Sequence, residues 1–123
     1  MKTTTNKKAM VVLAAMAAIS STVFAAGVNN TVDPNAVLYG AEAYGKDNVI
    51  AATGTSAFAV GYNNTVAGDN SFVYGNANKA TGTNAIAGGE YSRATGRNSV
   101  AIGSSAQALQ NDTFAIGSQA RAN

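Results

Sequence analysis

Residues 84–103 read Asn84-Ala-Ile-Ala-Gly-Gly-Glu-Tyr-Ser-Arg-Ala-Thr-Gly-Arg-Asn-Ser-Val-Ala-Ile-Gly103, and they contain two copies of a strand-like hexad that ends in glycine. The hexad recurs outward from this stretch in both directions, at Ser56–Gly61, Asn70–Gly75, Asn84–Gly89, Asn98–Gly103 and Asp112–Gly117. Its closing glycines lie 14 residues apart each time. A fixed period that keeps apolar residues in register indicates a repeat architecture rather than a disordered Gly/Ala/Asn-rich segment.

The length of the period selects the kind of repeat. Fourteen residues are too few for helix pairs, propeller blades or leucine-rich repeats, but they fit one coil of a flattened β-solenoid with two short strands and two turns. A second glycine stands seven residues before the first, at 54, 68, 82 and 96, and Gln110 interrupts that series. We therefore predict an all-β solenoid, or β-roll, of about six or seven coils that stack about 4.8 Å apart.

The beginning of the repeat region is less regular. Asn35-Ala-Val-Leu-Tyr-Gly40 is interpreted as an early copy, one and a half periods before Gly61, and Asn48-Val-Ile-Ala-Ala52 as a degenerate copy with Ala52 in the glycine position. The repeat domain is accordingly placed at residues 35–123, after a short lead-in at residues 27–34.

Residues 1–26 have the layout of a secretory signal peptide. Lys2, Lys7 and Lys8 precede an unbroken apolar run at residues 10–19, and small residues follow, with cleavage expected after Ala25 or Ala26. Ten apolar residues rise only about 15 Å as a helix, about half the thickness of a hydrocarbon core, so the segment is too short for a membrane anchor. Nothing later in the sequence resembles a membrane-spanning helix.

Loss of that segment changes the charge of the chain. The formal charge of +2 includes the three lysines of the signal segment. The remaining residues carry five cations against six anions, which gives −1: Lys46, Lys79, Arg93, Arg97 and Arg121 against Asp33, Glu42, Asp47, Asp69, Glu90 and Asp112. A mature chain of this charge gives no argument for a nucleic-acid partner. It also has no cysteine, so disulfides do not stabilise it.

Stacked coils turn each repeat position into a column. Two columns of large apolar residues lie two positions apart and therefore share a strand face, and we predict them to form the core: Val37, Phe58, Phe72, Ile86, Val100 and Phe114, with Tyr39, Val60, Tyr74, Gly88, Ile102 and Ile116. Opposite them we place the small residues of the other strand: Val66, Ala80, Ala94, Ala108 and Ala122. Large residues facing small ones would fill a thin slab.

The column between the two predicted core columns is also apolar. It is expected to point outward and consists of Leu38, Ala59, Val73, Ala87, Ala101 and Ala115. A strand with one solvated face alternates apolar and polar residues, so an outward column without polar groups indicates a covered surface. We predict that this column is the interface between subunits of a closed cyclic assembly.

Two polar columns complete the coil. Ser56, Asn70, Asn84, Asn98 and Asp112 are expected to stand at a turn, where such side chains bond to nearby backbone and form ladders along a solenoid. An exposed and partly basic stripe is expected at Thr65, Lys79, Arg93, Gln107 and Arg121. That stripe is either a contact surface or a solvated edge that prevents side-on aggregation.

The repeats resemble a known family. Asn98-Ser-Val-Ala-Ile-Gly103-Ser-Ser-Ala106, repeated as Asp112-Thr-Phe-Ala-Ile-Gly117-Ser-Gln-Ala-Arg-Ala122, resembles the head repeat of YadA-like trimeric autotransporter adhesins over residues 33–123. The resemblance implies a left-handed parallel β-roll, three chains side by side, on the outer surface of a bacterium. It further implies binding to host extracellular matrix, to host cells or to other heads. The stalk and the membrane barrel of a full adhesin have no counterpart in the sequence, which indicates a fragment or a freestanding secreted head.

The residue types argue against an enzyme. The chain has no histidine and no cysteine, hence no imidazole base, no thiol nucleophile and no soft metal site, and we predict neither catalytic residues nor a cofactor. Solenoid acyltransferases need a catalytic histidine that is missing here. A freestanding structural or ice-binding solenoid is the alternative function, but the threonine column at 53, 81 and 95 is interrupted by Ala67 and Leu109. The ligand-binding residues stay unknown from sequence.

Overall fold

The computed structural model describes residues 25–51 and 55–123. The predicted signal peptide lies outside the described residues except for Ala25 and Ala26, and the glycine at position 54 also lies outside them. Among the residues that are described, no helix has the length and apolarity needed to cross a membrane.

The described chain winds through two parallel sheets of seven strands each, so that every coil contributes one strand to each sheet. The first sheet contains the odd-numbered strands β1 (Ala25–Val28), β3 (Glu42–Lys46), β5 (Phe58–Tyr62), β7 (Phe72–Asn76), β9 (Ile86–Glu90), β11 (Val100–Ser104) and β13 (Phe114–Ile116). The second sheet contains two-residue strands, namely β2 (Thr31–Val32), β4 (Val49–Ile50), β6 (Thr65–Val66), β8 (Lys79–Ala80), β10 (Arg93–Ala94), β12 (Gln107–Ala108) and β14 (Arg121–Ala122). The predicted β-solenoid is confirmed.

Register follows the repeat in the regular part of the chain. In the first sheet Phe58 pairs with Phe72, and Phe72 pairs with Ile86, one period further on. In the second sheet Lys79 pairs with Arg93 by the same spacing. Residues 14 apart therefore lie directly over one another from β5 onward, as the sequence predicts.

From β5 onward the predicted core and the predicted outer column are exchanged in the structure, so both assignments are wrong there. The column of small residues points inward and is buried within the chain: Ala59, Val73, Ala87, Ala101 and Ala115. The large residues at the flanking positions point outward, and Phe114 and Ile116 are each 67% exposed. The predicted trimer interface through the small column is therefore excluded from β5 onward, because its side chains are covered by their own coil.

The spacing between the two sheets explains the exchange. The inner column of the second sheet is also made of small residues, and the predicted burial of Val66, Ala80, Ala94 and Ala108 is confirmed. Strands connected by turns of only a few residues bring the two sheets close together, so small side chains fill the space between them at normal packing density. Aromatic rings at Phe58 or Phe72 would not fit there and instead lie outside.

The irregular beginning of the repeat region also differs from the prediction. Asn35–Gly40 is not an early strand, because Pro34–Val37 form a single helical turn, α1. The Asp33 side chain accepts a hydrogen bond from the Asn35 backbone N–H at 2.9 Å, and Pro34 opens the turn, which is the usual chemistry of a helix start. Val37, the last residue of the helical turn, is thus buried, whereas Leu38 and Tyr39 beyond it are exposed.

The first-sheet strand of this region is Glu42–Lys46, and its Gly45 pairs with Gly61. Gly27 pairs in turn with Gly45, so the first coils span 18 and 16 residues instead of 14. The proposed degenerate copy at 48–52 is wrong as well, since Val49 and Ile50 form β4 of the second sheet. The solenoid accordingly includes β1 and β2, which precede residue 35.

A buried ladder of amides, which the sequence analysis missed, runs along one edge of the interior. It consists of Asn30, Asn48, Asn64, Asn78 and Ser92. Each amide oxygen accepts hydrogen bonds from the next rung, as when Asn64 Oδ1 accepts from the Asn78 backbone N–H at 3.0 Å. Each of the three central amide nitrogens also donates to two backbone carbonyls; for Asn64 Nδ2 these are Val60 at 3.1 Å and Gly75 at 2.9 Å. The ladder thus connects neighbouring coils and both ends of each turn.

The closing glycines are required for two reasons. Gly75 has a φ of 107°, and a Cβ there would overlap the carbonyl oxygen of Gly89 in the next coil. Gly40 has a φ of 84°, but a Cβ there would meet nothing within 4 Å. A comparison of substitutions at these two glycines therefore separates the cost of the backbone conformation from the cost of steric overlap between stacked coils.

We expect Gly75→Ala to lower the free energy of unfolding by about 3–5 kcal/mol, because backbone strain and steric overlap with the next coil add. Gly40→Ala is expected to cost about 1–2 kcal/mol from the positive φ alone. Urea denaturation followed by circular dichroism measures both. Equal losses would show that the coils separate easily enough to accept a Cβ between them.

Candidate functional site

The outward surface of the first sheet is a continuous apolar face. We define the apolar face by the two outward positions of each strand from β3 to β13, which are occupied by Tyr44, Phe58, Val60, Phe72, Tyr74, Ile86, Val100, Ile102, Phe114 and Ile116. Glu42 and Gly88 are the two remaining positions. Exposed apolar surfaces of this extent mark interaction sites in folded proteins.

Aromatic rings organise the first half of this face. The ring centroids of Tyr44 and Phe58 are 5.5 Å apart, those of Phe58 and Phe72 are 5.6 Å apart, and those of Phe72 and Tyr74 are 5.5 Å apart. Tilted rings at these distances attract one another beyond the effect of area burial alone. Tyr74 also lies over Gly88 of the next coil, where a Cβ would collide with the ring, and Gly88 is buried for that reason. The four rings therefore form one packed row.

Polar contacts border the apolar face near its N-terminal end. The Tyr44 hydroxyl donates a hydrogen bond of 2.7 Å to Glu42 Oε2. That hydrogen bond, together with desolvation and the charge of the carboxylate, raises the pKa of Tyr44. Lys46 Nζ lies 5.7 Å from the centroid of the Tyr62 ring, a cation–π contact at the third outward position. Glu42 and Lys46 are thus each engaged by a neighbouring aromatic side chain.

The outward surface of the second sheet has a different character. The exposed stripe predicted from sequence is confirmed as one stacked column of that sheet, occupied by Thr65, Lys79, Arg93, Gln107 and Arg121. Arg121 Nη2 donates to Gln107 Oε1 at 3.3 Å. Beside them lies a shallow depression of about 280 Å³ lined by Ser105, Gln107, Gln119 and Arg121. We refer to this column as the basic stripe.

The polar turn column behaves as predicted. Ser56, Asn70, Asn84, Asn98 and Asp112 all have φ values between 52° and 58°, a conformation that Asn and Asp tolerate better than most residues. Asn84 Nδ2 donates to Asn98 Oδ1 at 3.1 Å, and Asn98 Nδ2 donates to Asp112 Oδ1 at 2.8 Å. These residues therefore hold the turn and connect coils.

In residues 25–51 and 55–123, no group of three or more His, Cys, Asp or Glu side chains is placed to hold a metal ion. Leu38, the first member of the predicted interface column, is exposed at the end of α1 and does not stack on Ala59. The described residues thus present two candidate interaction surfaces on opposite sheets, the apolar face and the basic stripe.

Comparison with known families supports the same reading of the repeats. The family model of the YadA head domain repeat matches the chain twice, at residues 52–76 and 94–120. Comparison with curated proteins and with solved structures found no match. Each family match covers two of the glycine-closed hexads, and the hexad between them is the one in which Gly88 replaces a large apolar residue. YadA heads are adhesive and non-enzymatic modules of bacterial surface-exposed adhesins. With parallel coils of the matching period, the chain is a YadA-like head-repeat protein.

Proposed function

We propose that the chain is an adhesin head that forms a homotrimer through the apolar face and attaches its bearer to host matrix, to host cells or to sister heads. The observation that carries this proposal is the apolar face itself. A chain whose interior is built mainly from alanine, valine and asparagine carries its largest side chains on the outside of one sheet.

Burial supports the proposed assembly. Parallel sheets are normally covered on both faces, yet the first sheet is covered by its own chain on the inner side only. Phe72, Val60 and Ile116 all remain exposed on the outer side. A closed cyclic assembly would cover this face on every protomer equally. The number three is taken from the family and not from the geometry of a single chain.

Attachment would then depend on the surfaces that assembly leaves free. Three copies of each head, displayed many times on a bacterial surface after export, multiply weak contacts into strong adhesion without any deep pocket. Collagen, fibronectin and laminin are the matrix proteins against which this attachment is best measured. The export step itself rests on the predicted signal peptide at residues 1–26.

The trimer is tested by placing a charge in the middle of the apolar face. We expect the double variant Val100→Lys/Ile102→Lys to keep the β-rich circular dichroism spectrum and to elute as a monomer, because the outward side chains contribute little inside the coil. Light scattering coupled to gel filtration gives the mass, and Thr83→Lys, at an exposed turn, is the matched control expected to remain trimeric.

The same proteins test adhesion. Beads coated with the full chain should bind to plates of at least one matrix protein or to one another, and beads coated with the Val100/Ile102 variant should bind far less. A folded, monomeric wild-type protein would contradict the trimer. A trimer that neither coats matrix proteins nor clusters beads would contradict the adhesive role.

A further inference from the structure

We propose that the basic stripe binds a linear sulfated polysaccharide that lies along the axis of the solenoid. This surface is on the second sheet, opposite the apolar face, so the inference goes beyond the proposed trimer and does not need it.

The cations of the basic stripe are arranged in a straight line along the solenoid. Parallel register stacks Lys79 directly on Arg93, and Gln107 separates Arg93 from Arg121. With a rise of about 4.8 Å per coil, three cations stand in one straight row about 14 Å long. A straight row on a flat surface suits a stiff chain that carries anionic groups at regular intervals, whereas a compact small molecule would need a pocket.

The basic stripe concentrates the positive charge of residues 27–123. Three of the five cations of residues 27–123 belong to the basic stripe, and no acidic residue occupies its column. Within the described residues, Lys79 and Arg93 form no ion pair or side-chain hydrogen bond, and the side chain of Arg121 donates a hydrogen bond to the neutral amide of Gln107. The stripe is therefore locally positive on a chain whose remaining charge is negative, and its charges are not neutralised by neighbours.

The side chains of the basic stripe and of the depression beside it indicate the chemical class of the ligand. Guanidinium groups bind sulfate and carboxylate oxygens through paired N–H donors, and Arg93 and Arg121 supply two such groups. Gln107, Gln119 and Ser105 line the shallow depression beside Arg121, where their amides and hydroxyl are able to bond to sugar hydroxyls. The stripe column itself contains no aromatic ring on which bases would stack, which disfavours single-stranded nucleic acid.

The position of the stripe also fits an extended ligand. If the apolar face is covered in the proposed trimer, the second sheet of each protomer faces away from the partners, and three stripes are presented at once. Only this gain in avidity rests on the proposed function. A single protomer carries the complete stripe.

The test uses the full chain and immobilised heparin, with fully desulfated heparin and hyaluronan as arms that separate sulfate from carboxylate recognition. We expect Lys79→Gln/Arg93→Gln to weaken heparin binding about tenfold at low salt, because two charge contacts are lost. The charge-matched control is Lys46→Gln/Arg97→Gln, which removes the two cations of residues 27–123 that lie off the stripe and should change affinity less than about twofold. Both variants keep the N-terminal lysines, so these cancel in the comparison.

Equal weakening by the two double variants would overturn the proposal, since it would show attraction by total charge only. Absence of heparin binding at low salt, or tighter binding to a duplex DNA of the same charge, would overturn it too. Binding to hyaluronan as tight as to heparin would overturn the preference for sulfate. If the wild-type chain forms no trimer but still binds heparin through the stripe, the result would count against the proposed function and leave this inference standing.

Discussion

Replacing Ala101 by aspartate abolishes folding, whereas replacing Ile102 by aspartate leaves the coil folded: this is the expected result of placing the same charge on the two sides of β11. Ala101 is 0% exposed and lies among other small side chains between the sheets. An unpaired carboxylate there costs several kcal/mol, an effect comparable to the whole stability of about 5–15 kcal/mol of a small domain. Ile102 points outward on the apolar face. An aspartate there remains solvated by water, and any partner protomer is displaced.

Circular dichroism and thermal melts of the two single variants distinguish inside from outside without a further structure. Ala101→Asp should lack the β-rich spectrum at any temperature. Ile102→Asp should retain it and show only weaker association. The reverse outcome would mean that the large side chains form the interior after all and that the alanine column faces outward.

The second large effect is expected at the centre of the buried amide ladder. Asn64→Ala removes the acceptor of the Asn78 backbone N–H and the donor to the Gly75 carbonyl, and it breaks the amide contact with Asn48. Because each buried polar group left without a partner costs about 1–3 kcal/mol, we expect a loss of about 3–5 kcal/mol in the free energy of unfolding. The midpoint of urea denaturation measures this loss.

Asn84→Ala is the matched control for the ladder. Asn84 is also an asparagine that bonds to the next coil, at 3.1 Å from Asn98 Oδ1, but it is exposed and water replaces the lost contact. Its cost should be about 1–2 kcal/mol, mainly from placing alanine at a φ of 56°. A similar loss at both positions would show that the buried ladder contributes no more than a turn residue.

The sequence predicts the period, the parallel stacking and the turn chemistry because these depend on spacing alone. Residues 14 apart must occupy equivalent sites, and the strained turn positions at Asn70, Asn84 and Asn98 select residue types that tolerate positive φ. The exposed position of the basic stripe follows in the same way, since charges at Lys79 and Arg93 would not be buried without partners.

The alternation of side chains along the strands did not predict which face of the first sheet points inward. Both faces of these strands are apolar, and a period of two separates the faces without naming the inner one. Choosing Phe58 and Phe72 for the core assumes that larger side chains are buried first, whereas a thin interior selects by volume. The alanines at 80, 94 and 108 of the facing strand already indicated such a thin interior, because two narrow sheets facing each other need small residues on both sides.

The buried amides were missed for a related reason. Asn64 and Asn78 stand one period apart, and Asn48 precedes Asn64 by 16 residues, so part of the ladder was visible as a column. Polar residues between a strand and a turn are more often solvated than buried, and only the structure shows that their amides replace missing backbone partners. Predicting the irregular coils before Gly61 likewise required knowing that Gly45 pairs with Gly61, and the nearby hexad at residues 35–40 obscured that pairing.

An interior of alanine, valine and asparagine also fixes how this fold responds to temperature. Newly hydrated apolar surface raises the heat capacity of an unfolding chain and newly hydrated amide surface lowers it. Opening the coils of a single protomer exposes little of the first kind and a row of buried amides of the second kind. The heat-capacity increment per residue is therefore small, and the stability curve is flatter than that of a domain of equal length filled with leucine and phenylalanine, which favours function over a wide thermal range.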